Sequence, residues 1–532
     1  MRLALFVTAF TMALPAFALD GQVGIHDPST IMLSNGKFYV YGTGGTPLVS
    51  DDGWTWRAGT RPPRAGLAPD VIHIGDRYYM YVASNPGGQP HAAINMIRSK
   101  SLDPKSPDYQ WEEGGLVVST NGVEDANGID PGAFLDPTTG RLWLTYGSYF
   151  GYIRIVELDP KTGTRLMKKA QDPKTGKIIT TSPDFTNIAI NCEASDMIYH
   201  DGWYYLLATH GSCCRSADSG YNIRMGRSKK PTGPFLDNMG IDMIQGGGKQ
   251  LIGSGGRFIG AGHFGLLDLG DGIMKFSMHW EADLDRGGAS VLDIRPLLWK
   301  DGWPVAGENL KEGTYEIESV RSNNALELAV EGVPVGGRRG GRGRGAGPRR
   351  GGPGAPGAPG QTPDAGRGQG AVGAPGEGGG RGQGGGGIFG GTGGGPIPPQ
   401  DVAEVSKNWP AGNITTRLSN YLCQAQQKWA IAPAPNAGGY PGSPYFKITI
   451  AGTDRALAAT ADAELVVLPA FTGAPEQLWR IEQVADETYR IMPKAVPNSK
   501  DPLVLSAVGS GFATLAKWDP ASDKQHWLLK TP

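Results

Sequence analysis

Three acidic residues of this sequence stand where a charged side chain is hard to explain by solvation alone. They are Asp27 in GIHDPST, Asp130 in NGIDPGAF and Glu193 in AINCEASDMIY, and each has apolar or small neighbours. Such a set suits glycosidic bond cleavage, because one carboxylic acid must protonate the leaving oxygen while an ionised carboxylate activates water. Carboxyl groups held close together push their pKa values apart, so both protonation states can exist at one pH.

A second interpretation is open for two of these residues. Asp27 and Asp130 each precede a proline, and Asp before Pro is common in turns. Taken singly, either residue could simply form a turn. Their occurrence together with Glu193 favours a shared site.

Five aromatic-rich segments that follow turn residues predict the strands that would position these acids. Each joins a Gly-containing turn to alternating large side chains, which is typical of a hairpin strand. The segments are NGKFYVYG (35–42), GDRYYMYV (75–82), TGRLWLTYG (139–147), DGWYYLLA (201–208) and DGIMKFSMHW (271–280). They predict an all-β fold, a β-propeller of about five blades, although a large sandwich could give a similar pattern. In a propeller, the first residues of each innermost strand point into the central channel, where the three carboxylates would converge.

A different repeat follows residue 310. Its three copies carry the motifs QKW (427–429), QLW (477–479) and QHW (525–527), downstream of strands GTYEIES (313–319), YFKITI (445–450) and TYRIMP (488–493). Three copies of one small β unit, none able to bury its apolar face alone, predict a threefold closed structure. A length of 532 residues also favours two domains, which we place at 19–308 and 309–532.

The segment 336–398 is rich in Gly and Arg and has almost no apolar side chains. It cannot offset its own ordering entropy by burial, which predicts a disordered insertion within the first of the three copies. An Arg-Gly run can bind RNA in other contexts. A solvated loop or linker, in contact with acidic polysaccharide at most, is the favoured interpretation here.

The first 18 residues, MRLALFVTAFTMALPAFA, place Arg2 before an apolar run that ends in a small-x-small cleavage pattern. They predict a signal peptide and a product in the periplasm or outside the cell, the alternative being a buried N-terminal helix. No later apolar stretch is long enough to span a bilayer. The formal net charge of −1 argues against a nucleic-acid partner, and no oligomer interface can be argued from the sequence.

Four cysteines are too few for a disulfide scaffold. Cys213 and Cys214 are adjacent, where an ordinary bridge is geometrically awkward, so a vicinal disulfide in an oxidising compartment and a pair of free thiols both remain open. The sequence has no CxxC pair and no HExxH, which argues against zinc.

Several motifs over about residues 20 to 305 resemble, in their order, glycoside hydrolase family 43. They are HDPS (26–29), APDV (68–71), IDPGAFLD (129–136), LTYGSYFGYI (144–153), CEASDMIY (192–199), CCR (213–215), YNIRMGRS (221–228) and GAGHFG (260–265). Within that family the arrangement is most similar to the arabinan endo-1,5-α-L-arabinanases. The resemblance implies a five-bladed propeller and a reaction that inverts the anomeric centre.

The resemblance also implies roles for individual residues. Asp27 would be the general base, Glu193 the general acid, and Asp130 the residue that orients the acid and tunes its pKa. His263 of GAGH matches a histidine that lies in the arabinanase channel near a bound metal ion, often calcium. A structural role for His263 stays open, because a lone histidine is more often structural and calcium prefers oxygen ligands.

The substrate contacts are less well defined by the resemblance. Leu67 stands where many arabinanases have a tryptophan, which removes an aromatic platform for a sugar face and weakens the case for endo action. Tyr149 and Phe150 could supply apolar contact instead, or could be ordinary rim aromatics. Asp70 and Arg224 are placed by motif near the cleft, where a supporting salt-bridge role fits each equally well.

The C-terminal part, 309–532, is similar to ricin-type β-trefoil domains, whose three repeats carry QxW strands. In that family the tryptophans are mainly core, so Trp429, Trp479 and Trp527 are not expected to contact sugar. The disulfides usual in plant lectins are absent, since Cys423 is the single cysteine of this region. Sugar binding is implied by the fold class alone, and a fold does not fix function.

The leading hypothesis is therefore a secreted, inverting hydrolase of arabinan or of arabinose-containing plant polysaccharide, with the trefoil as a carbohydrate-binding module. An exo-acting α-L-arabinofuranosidase or β-xylosidase on the same propeller is the nearest alternative. A non-catalytic polysaccharide-binding protein is an alternative of another class. The three carboxylates argue against it, because binding alone needs no acid and base on either side of one bond.

Overall fold

The computed structural model describes residues 19–85, 91–121, 126–149, 151–166, 168–171, 174–181, 185–270, 272–330, 401–484 and 486–532. The predicted signal peptide at 1–18, the predicted disordered insertion at 336–398 and Phe150 lie outside these described residues. The described residues up to 330 and from 401 onward belong to one compact unit.

Within the described part of the chain, five sheets follow one another from Asp20 to Ala306, each formed by strands that are consecutive or nearly so. The first contains β1 (Asp20–Gly21), β2 (Met32–Ser34), β3 (Lys37–Tyr41), β4 (Pro47–Ser50) and β5 (Thr55–Ala58). The second contains β6 (Leu67–Ile74), β7 (Arg77–Ser84), β8 (His91–Ser99) and β9 (Glu112–Asn121). The third contains β10 (Gly132–Leu135), β11 (Leu142–Tyr146), β12 (Tyr152–Leu158) and β15 (Thr186–Ile190), with a separate hairpin of β13 (Lys168–Gln171) and β14 (Ile178–Thr181).

The fourth sheet contains β16 (Glu193–His200), β17 (Trp203–His210), β18 (Asn222–Ser228) and β19 (Lys249–Ile252). The fifth contains β20 (Phe258–Asp268), β21 (Met274–Asp283), β22 (Ala289–Lys300) and β23 (Trp303–Ala306). Except for β1, which runs parallel to β5, neighbouring strands within these five sheets are antiparallel. The order confirms the predicted five-bladed propeller. Each predicted aromatic strand lies next to an edge strand of its sheet, namely β2, β6, β10, β16 or β20.

The ring of blades is closed by the segment that precedes β2. The main-chain N–H of Leu292 in the fifth blade donates to the carbonyl of Val23 at 2.8 Å, and the N–H of Ile25 donates to the carbonyl of Ser290 at 3.3 Å. Because this segment joins the first blade to the fifth, it fixes the residues that come directly after it. Asp27 is one of them.

The C-terminal part contains a sheet of ten strands and two small hairpins, counted over the described residues. Its strands are β24 (Gly313–Ser319), β25 (Ala325–Leu328), β26 (Ile414–Ser419), β27 (Trp429–Pro433), β28 (Gly439–Tyr440), β29 (Ser443–Pro444), β30 (Phe446–Ile450), β31 (Ala456–Ala459), β32 (Leu465–Leu468), β33 (Trp479–Gln483), β34 (Tyr489–Pro493), β35 (Leu503–Val508), β36 (Phe512–Lys517) and β37 (Trp527–Lys530). One short α-helix, α1, spans Val402–Val405. Short 3-10 helices span Ser216–Asp218, Met243–Gln245, Leu284–Arg286, Ser406–Asn408, Ala425–Gln427, Pro475–Gln477 and Asp523–Gln525.

The three QxW motifs form the same local structure. The indole N–H groups of Trp429, Trp479 and Trp527 donate to main-chain carbonyls at 2.7, 3.0 and 2.9 Å, and all three rings are fully buried in one core. Each glutamine side chain accepts from at least one main-chain N–H and donates to a main-chain carbonyl a few residues upstream. The predicted core position of the tryptophans is confirmed, whereas the ricin-type trefoil itself stays a prediction.

A buried cluster of charges joins the fifth blade to the C-terminal sheet. The carboxylate of Glu482 on β33 lies 2.8 Å from Arg480 Nε, 2.6 Å from a terminal nitrogen of Arg490 and 3.6 Å from Lys275 Nζ of β21. Lys275 also donates to the main-chain carbonyl of Pro441. Burial lowers the pKa of Lys275 to about 8, whereas the pKa of Glu482 falls to about 2 because the three cations outweigh its own burial.

We expect Glu482→Gln to destabilise the protein by about 3 to 5 kcal/mol, because it leaves buried cations without their anion. The free energy of unfolding, measured by chemical denaturation, checks this value. Glu464→Gln, at an exposed position of the same C-terminal part, is the matched control and should change stability by less than about 0.5 kcal/mol. Equal stability of the two variants would contradict a stabilising role for Glu482 in this cluster.

A search of the described residues finds no helix that is both long enough and apolar enough to cross a bilayer.

Candidate active site

The three predicted carboxylates lie at the starts of the first, third and fourth blades. Glu193 is the first residue of β16, whereas Asp27 and Asp130 belong to the segments that lead into β2 and β10. Asp27 and Asp130 have φ angles of 49° and 53°, and Ala194, which follows Glu193, has 49°. Left-handed backbone at non-glycine residues costs energy and is concentrated at functional sites. Both Asp-Pro residues are therefore in unusual bends, and these bends also hold the carboxylates.

Glu193 is a buried carboxyl group with hydroxyl partners on both oxygens. The Tyr221 hydroxyl donates to Oε1, and Ser148 Oγ donates to Oε2 at 2.7 Å. Burial raises the pKa of Glu193, and the hydrogen bonds from Tyr221 and Ser148 offset part of that rise. A hydroxyl can accept as well as donate, so the same contacts remain available when Glu193 carries a proton.

Asp27 has the opposite electrostatic environment. Thr43 Oγ1 donates to its Oδ2 at 2.6 Å, His26 Nδ1 lies 2.9 Å from Oδ2, and His263 Nδ1 lies 3.4 Å from Oδ1. Burial would raise the pKa of Asp27, but the hydrogen bonds and charges of the two histidines outweigh it and hold the pKa well below its usual range. Asp27 is therefore ionised at any ordinary pH.

Asp130 lies beside Glu193. Its Oδ2 accepts from the main-chain N–H of Ala194, the residue after Glu193, at 3.2 Å. Burial, followed by the charge of Glu193, raises the pKa of Asp130 well above its usual range, and Asp27 acts in the same direction. The hydrogen bond to Ala194 brings Asp130 next to Glu193, and the charges of the three carboxylates act on one another. The pKa of Asp27 is lowered, whereas the pKa values of Asp130 and Glu193 are raised.

The matching family model covers residues 26–304 and describes glycosyl hydrolases family 43. The chain belongs to this family. It is a glycoside hydrolase, and the propeller with its three carboxylates lies within the matched stretch.

Two relatives illustrate the range of activities among similar proteins. The extracellular exo-α-(1→5)-L-arabinofuranosidase ArbA of Cellvibrio japonicus is 33% identical over 309 residues, which cover 54% of this chain and 87% of ArbA. The extracellular endo-α-(1→5)-L-arabinanase 1 of Bacillus subtilis is 30% identical over 319 residues, which cover 56% of this chain and 92% of that arabinanase. A crystal structure of an exo-1,5-α-L-arabinanase from a bovine ruminal metagenomic library is 32% identical, with a TM-score of 0.47, and covers 54% of this chain and 97% of its own.

Among the predicted sugar contacts in this hydrolase, Tyr149 is near enough to Glu193 for the charge of that carboxyl to affect it. Its hydroxyl donates to the main-chain carbonyl of Thr209 at 3.3 Å, and burial together with the charge of Glu193 raises its pKa. The side chain is half-buried, which leaves part of the ring for contact. Phe150 lies outside the described residues. Both stay predictions as substrate contacts.

Asp70 and Arg224 occupy different positions. Asp70 is buried, and its two oxygens accept from the main-chain N–H groups of Thr30 at 3.0 Å and Ala133 at 2.8 Å, which belong to other blades. These contacts favour a role for Asp70 in holding neighbouring blades together. The hydrogen-bond partners of Asp70 are main-chain amides and not the cation of a salt bridge. Arg224 on β18 is half-buried, donates to Asn222 at 2.8 Å, and remains a predicted substrate contact.

His263 is placed in the site but offers a poor cage for calcium. His263 is buried, and its ring faces Asp27. Its main-chain N–H donates to Thr209 Oγ1 at 3.0 Å. Calcium takes about six to eight oxygen ligands, whereas the described residues form no group of three potential ligands that includes His263. A calcium ion here would need water for most of its shell. The metal stays a prediction, and no chemical step below depends on it.

Four side chains that hold the carboxylates were not singled out from the sequence. His26, Ser148 and Tyr221 each stand within a quoted motif, and Thr43 follows the first aromatic strand. The motifs marked the right segments. The sequence carried no signal for which of their polar side chains would turn toward a carboxylate.

Replacing Tyr221 by Phe is expected to shift the alkaline limb of the kcat/KM profile to higher pH. The lost hydrogen bond favours ionised Glu193, so its removal raises the pKa of Glu193 and keeps the acid protonated to higher pH. A pH series of kcat/KM on linear arabinan checks the shift. Tyr78→Phe is the control, because the Tyr78 hydroxyl donates to the main-chain carbonyl of Leu33, away from the carboxylates. A shift to lower pH would contradict the role of Tyr221.

Proposed function

We propose that this hydrolase cleaves α-1,5-linked L-arabinofuranosyl bonds in arabinan or in other arabinose-containing plant polysaccharides, with inversion at the anomeric carbon. The observation that carries the proposal is the contrast between two carboxylates. Asp27 faces two histidines and a hydroxyl, whereas Glu193 is buried between the hydroxyls of Tyr221 and Ser148. The names of the relatives, which act on α-1,5-linked arabinose, support the choice of substrate.

In the proposed reaction, Glu193 gives its proton to the glycosidic oxygen as the bond to the anomeric carbon breaks. Asp27 takes a proton from a water molecule that attacks the same carbon from the opposite face, so the configuration inverts. Asp130 holds the main chain next to Glu193 and, as a further acid close by, helps to keep the proton on it. The anomeric configuration of the first-formed product, followed by NMR, tests inversion.

Endo action is the first choice, and exo action is the alternative that a specific observation favours. Leu67 occupies the place of an aromatic platform, and ArbA is named as an exo-acting enzyme. Wild type and Glu193→Ala should be incubated with linear arabinan, arabinoxylan and xylan, with chromatography of the products. A ladder of arabino-oligosaccharides means endo action, and release of arabinose alone means exo action.

The same experiment tests the substrate class. Release from arabinan that Glu193→Ala abolishes is the expected result. Release from xylan alone would replace the arabinan proposal by a β-xylosidase. Binding of a polymer by folded wild-type protein with no release from any of the three would overturn hydrolysis of pentose polymers.

We also propose that residues 309–532 form a ricin-type β-trefoil that binds carbohydrate and keeps the enzyme on its polymer. The repeated hydrogen bonds of the three QxW motifs support this architecture. Co-sedimentation of full-length Glu193→Ala with insoluble polysaccharides is the test, with binding expected. Secretion is proposed from the leader composition and from the relatives that are named extracellular.

A further inference from the structure

A loop after β17 carries a disulfide between Cys213 and Cys214. The chain has four cysteines, and the other two, Cys192 and Cys423, are free. Cys214 is exposed and has a φ of 62°, and Ser216 nearby has 50°, so the loop is tightly bent. The sequence left open whether these neighbouring cysteines form a disulfide. The mechanism described above does not use it.

Glu281 on β21 connects this loop to the active site. Its Oε2 accepts from the main-chain N–H groups of Cys214 at 2.7 Å and Arg215 at 3.3 Å. Its Oε1 lies 2.8 Å from His26 Nε2 and 3.1 Å from His279 Nε2. The carboxylate is almost fully buried, so its orientation depends on these four nitrogen groups.

His26 extends the connection to the base. One ring nitrogen faces Glu281, and the other lies 2.9 Å from Asp27 Oδ2. The two sulfur atoms of the disulfide also lie beside this ring, within 4.8 Å of one of its nitrogens and of each other. An unbroken path of hydrogen bonds therefore runs from the loop through Glu281 and His26 to Asp27.

The groups that face His26 leave it little freedom while the loop is in place. They are the two carboxylates at its nitrogens and the ring of His279, whose centroid is 4.6 Å away. Without the amides of Cys214 and Arg215, Glu281 would keep only its histidine partners and could turn. The orientation of His26, and with it that of Asp27, would then no longer be fixed.

We propose that the Cys213–Cys214 disulfide fixes the two loop amides on Glu281, that Glu281 thereby positions His26 against Asp27, and that opening the disulfide lowers the catalytic rate. Glu281 and His26 are positioning residues, since they act through Asp27. The inference rests on the proposed role of Asp27 as general base. It makes the hydrolase dependent on an oxidising environment, in accord with its proposed secretion.

Physical chemistry supports the role of the disulfide. A bond between adjacent cysteines restrains the peptide that joins them, and therefore the direction in which the Cys214 N–H points. A dithiol reductant can approach the exposed side of Cys214. Reduction transfers two electrons and two protons from the dithiol to the S–S bond, which gives two thiols and the cyclic disulfide of the reductant.

The first experiment compares oxidised and dithiol-treated full-length enzyme on linear arabinan, with thiols counted by a chromogenic reagent. We expect two new thiols per chain and a fall in kcat of about tenfold to a hundredfold, because small displacements of a catalytic group cost that much. The change in KM should stay within about twofold, since Asp27 acts on the attacking water. Cys423→Ser is the control and should show the same initial kcat and the same loss on reduction.

The second experiment tests whether the effect passes through Glu281. Cys213→Ser/Cys214→Ser should match the reduced wild type and be insensitive to the dithiol. Glu281→Gln, which preserves side-chain shape, should have a low kcat that reduction hardly lowers further, because coupled sites are not additive. Thermal unfolding of each form shows whether the fold survives, so a loss of kcat in folded protein is distinguished from unfolding.

Two outcomes overturn the inference. One is full kcat in enzyme with two newly counted thiols. The other is an additive effect of Glu281→Gln and reduction, which would mean two independent paths. If Asp27→Asn and Glu193→Gln abolish activity in the same assay, the proposed function stands even when this inference fails. If those two variants remain active, the proposed function itself is wrong.

Discussion

Glu193→Gln is expected to lower kcat on linear arabinan by about a thousandfold, the typical contribution of a general acid. An arabinofuranosyl leaving group is a poor alkoxide and needs a proton as it departs. The amide keeps the shape of the side chain and its contacts with Tyr221 and Ser148 but has no acidic proton to give. KM should change little, because the proton is transferred in the transition state.

A substrate that needs no proton makes the test specific. A nitrophenyl glycoside of an arabino-oligosaccharide releases a stable phenolate, so Glu193→Gln should lose only about tenfold on it. Glu464→Gln, at an exposed position, should behave as wild type on both substrates. Equal losses of Glu193→Gln on polymer and nitrophenyl glycoside would mean that Glu193 has another role than the acid.

Asp27→Asn is expected to lower kcat by about a thousandfold on both substrates, because water must be activated whatever the leaving group. The amide cannot accept the proton of water, and it removes the anion that His26 and His263 face. Steady-state rates on the polymer and on the nitrophenyl glycoside measure the two losses side by side.

Asp462→Asn, at an exposed position in the C-terminal part, is the matched control and should retain full activity on both substrates. The two active-site variants are expected to differ in pattern: loss on the polymer mainly for Glu193, and on both substrates for Asp27. Retention of activity on the nitrophenyl glycoside by Asp27→Asn would exclude Asp27 as the base. The general base would then have to be sought among the other groups of the site.

The strand pattern was predictable because it depends on local sequence. Alternating aromatic and β-branched residues after Gly-containing turns identified one strand in each of the five blades, namely β3, β7, β11, β17 and β21. The nearly equal spacing of the QxW motifs likewise predicted a threefold repeat, and their tryptophans are buried. These patterns did not identify the other strands of each blade.

The carboxylates themselves were also predictable, since acids beside apolar residues in three separate motifs are rare on a solvated surface. Their immediate partners were not. Tyr221 is 28 residues from Glu193, His263 is far along the chain from Asp27, and Glu281 is 255 residues from His26. The contact of Tyr221 with Glu193 depends on how the strands of the fourth blade pair. The other two contacts depend on how the first and fifth blades face one another, which no local pattern records.

The sequence by itself determined the element types, the blade count and the acids that could do chemistry, because those follow from residue type and spacing along the chain. Only the tertiary structure shows which carboxyl group has a lowered pKa and which has a raised one. Asp27 faces two imidazoles and a hydroxyl, whereas Glu193 is buried between two neutral hydroxyls. A carboxyl pKa depends on burial and on the donors that surround it in space, so the difference between Asp27 and Glu193 arises only when distant parts of the chain come together around the same site.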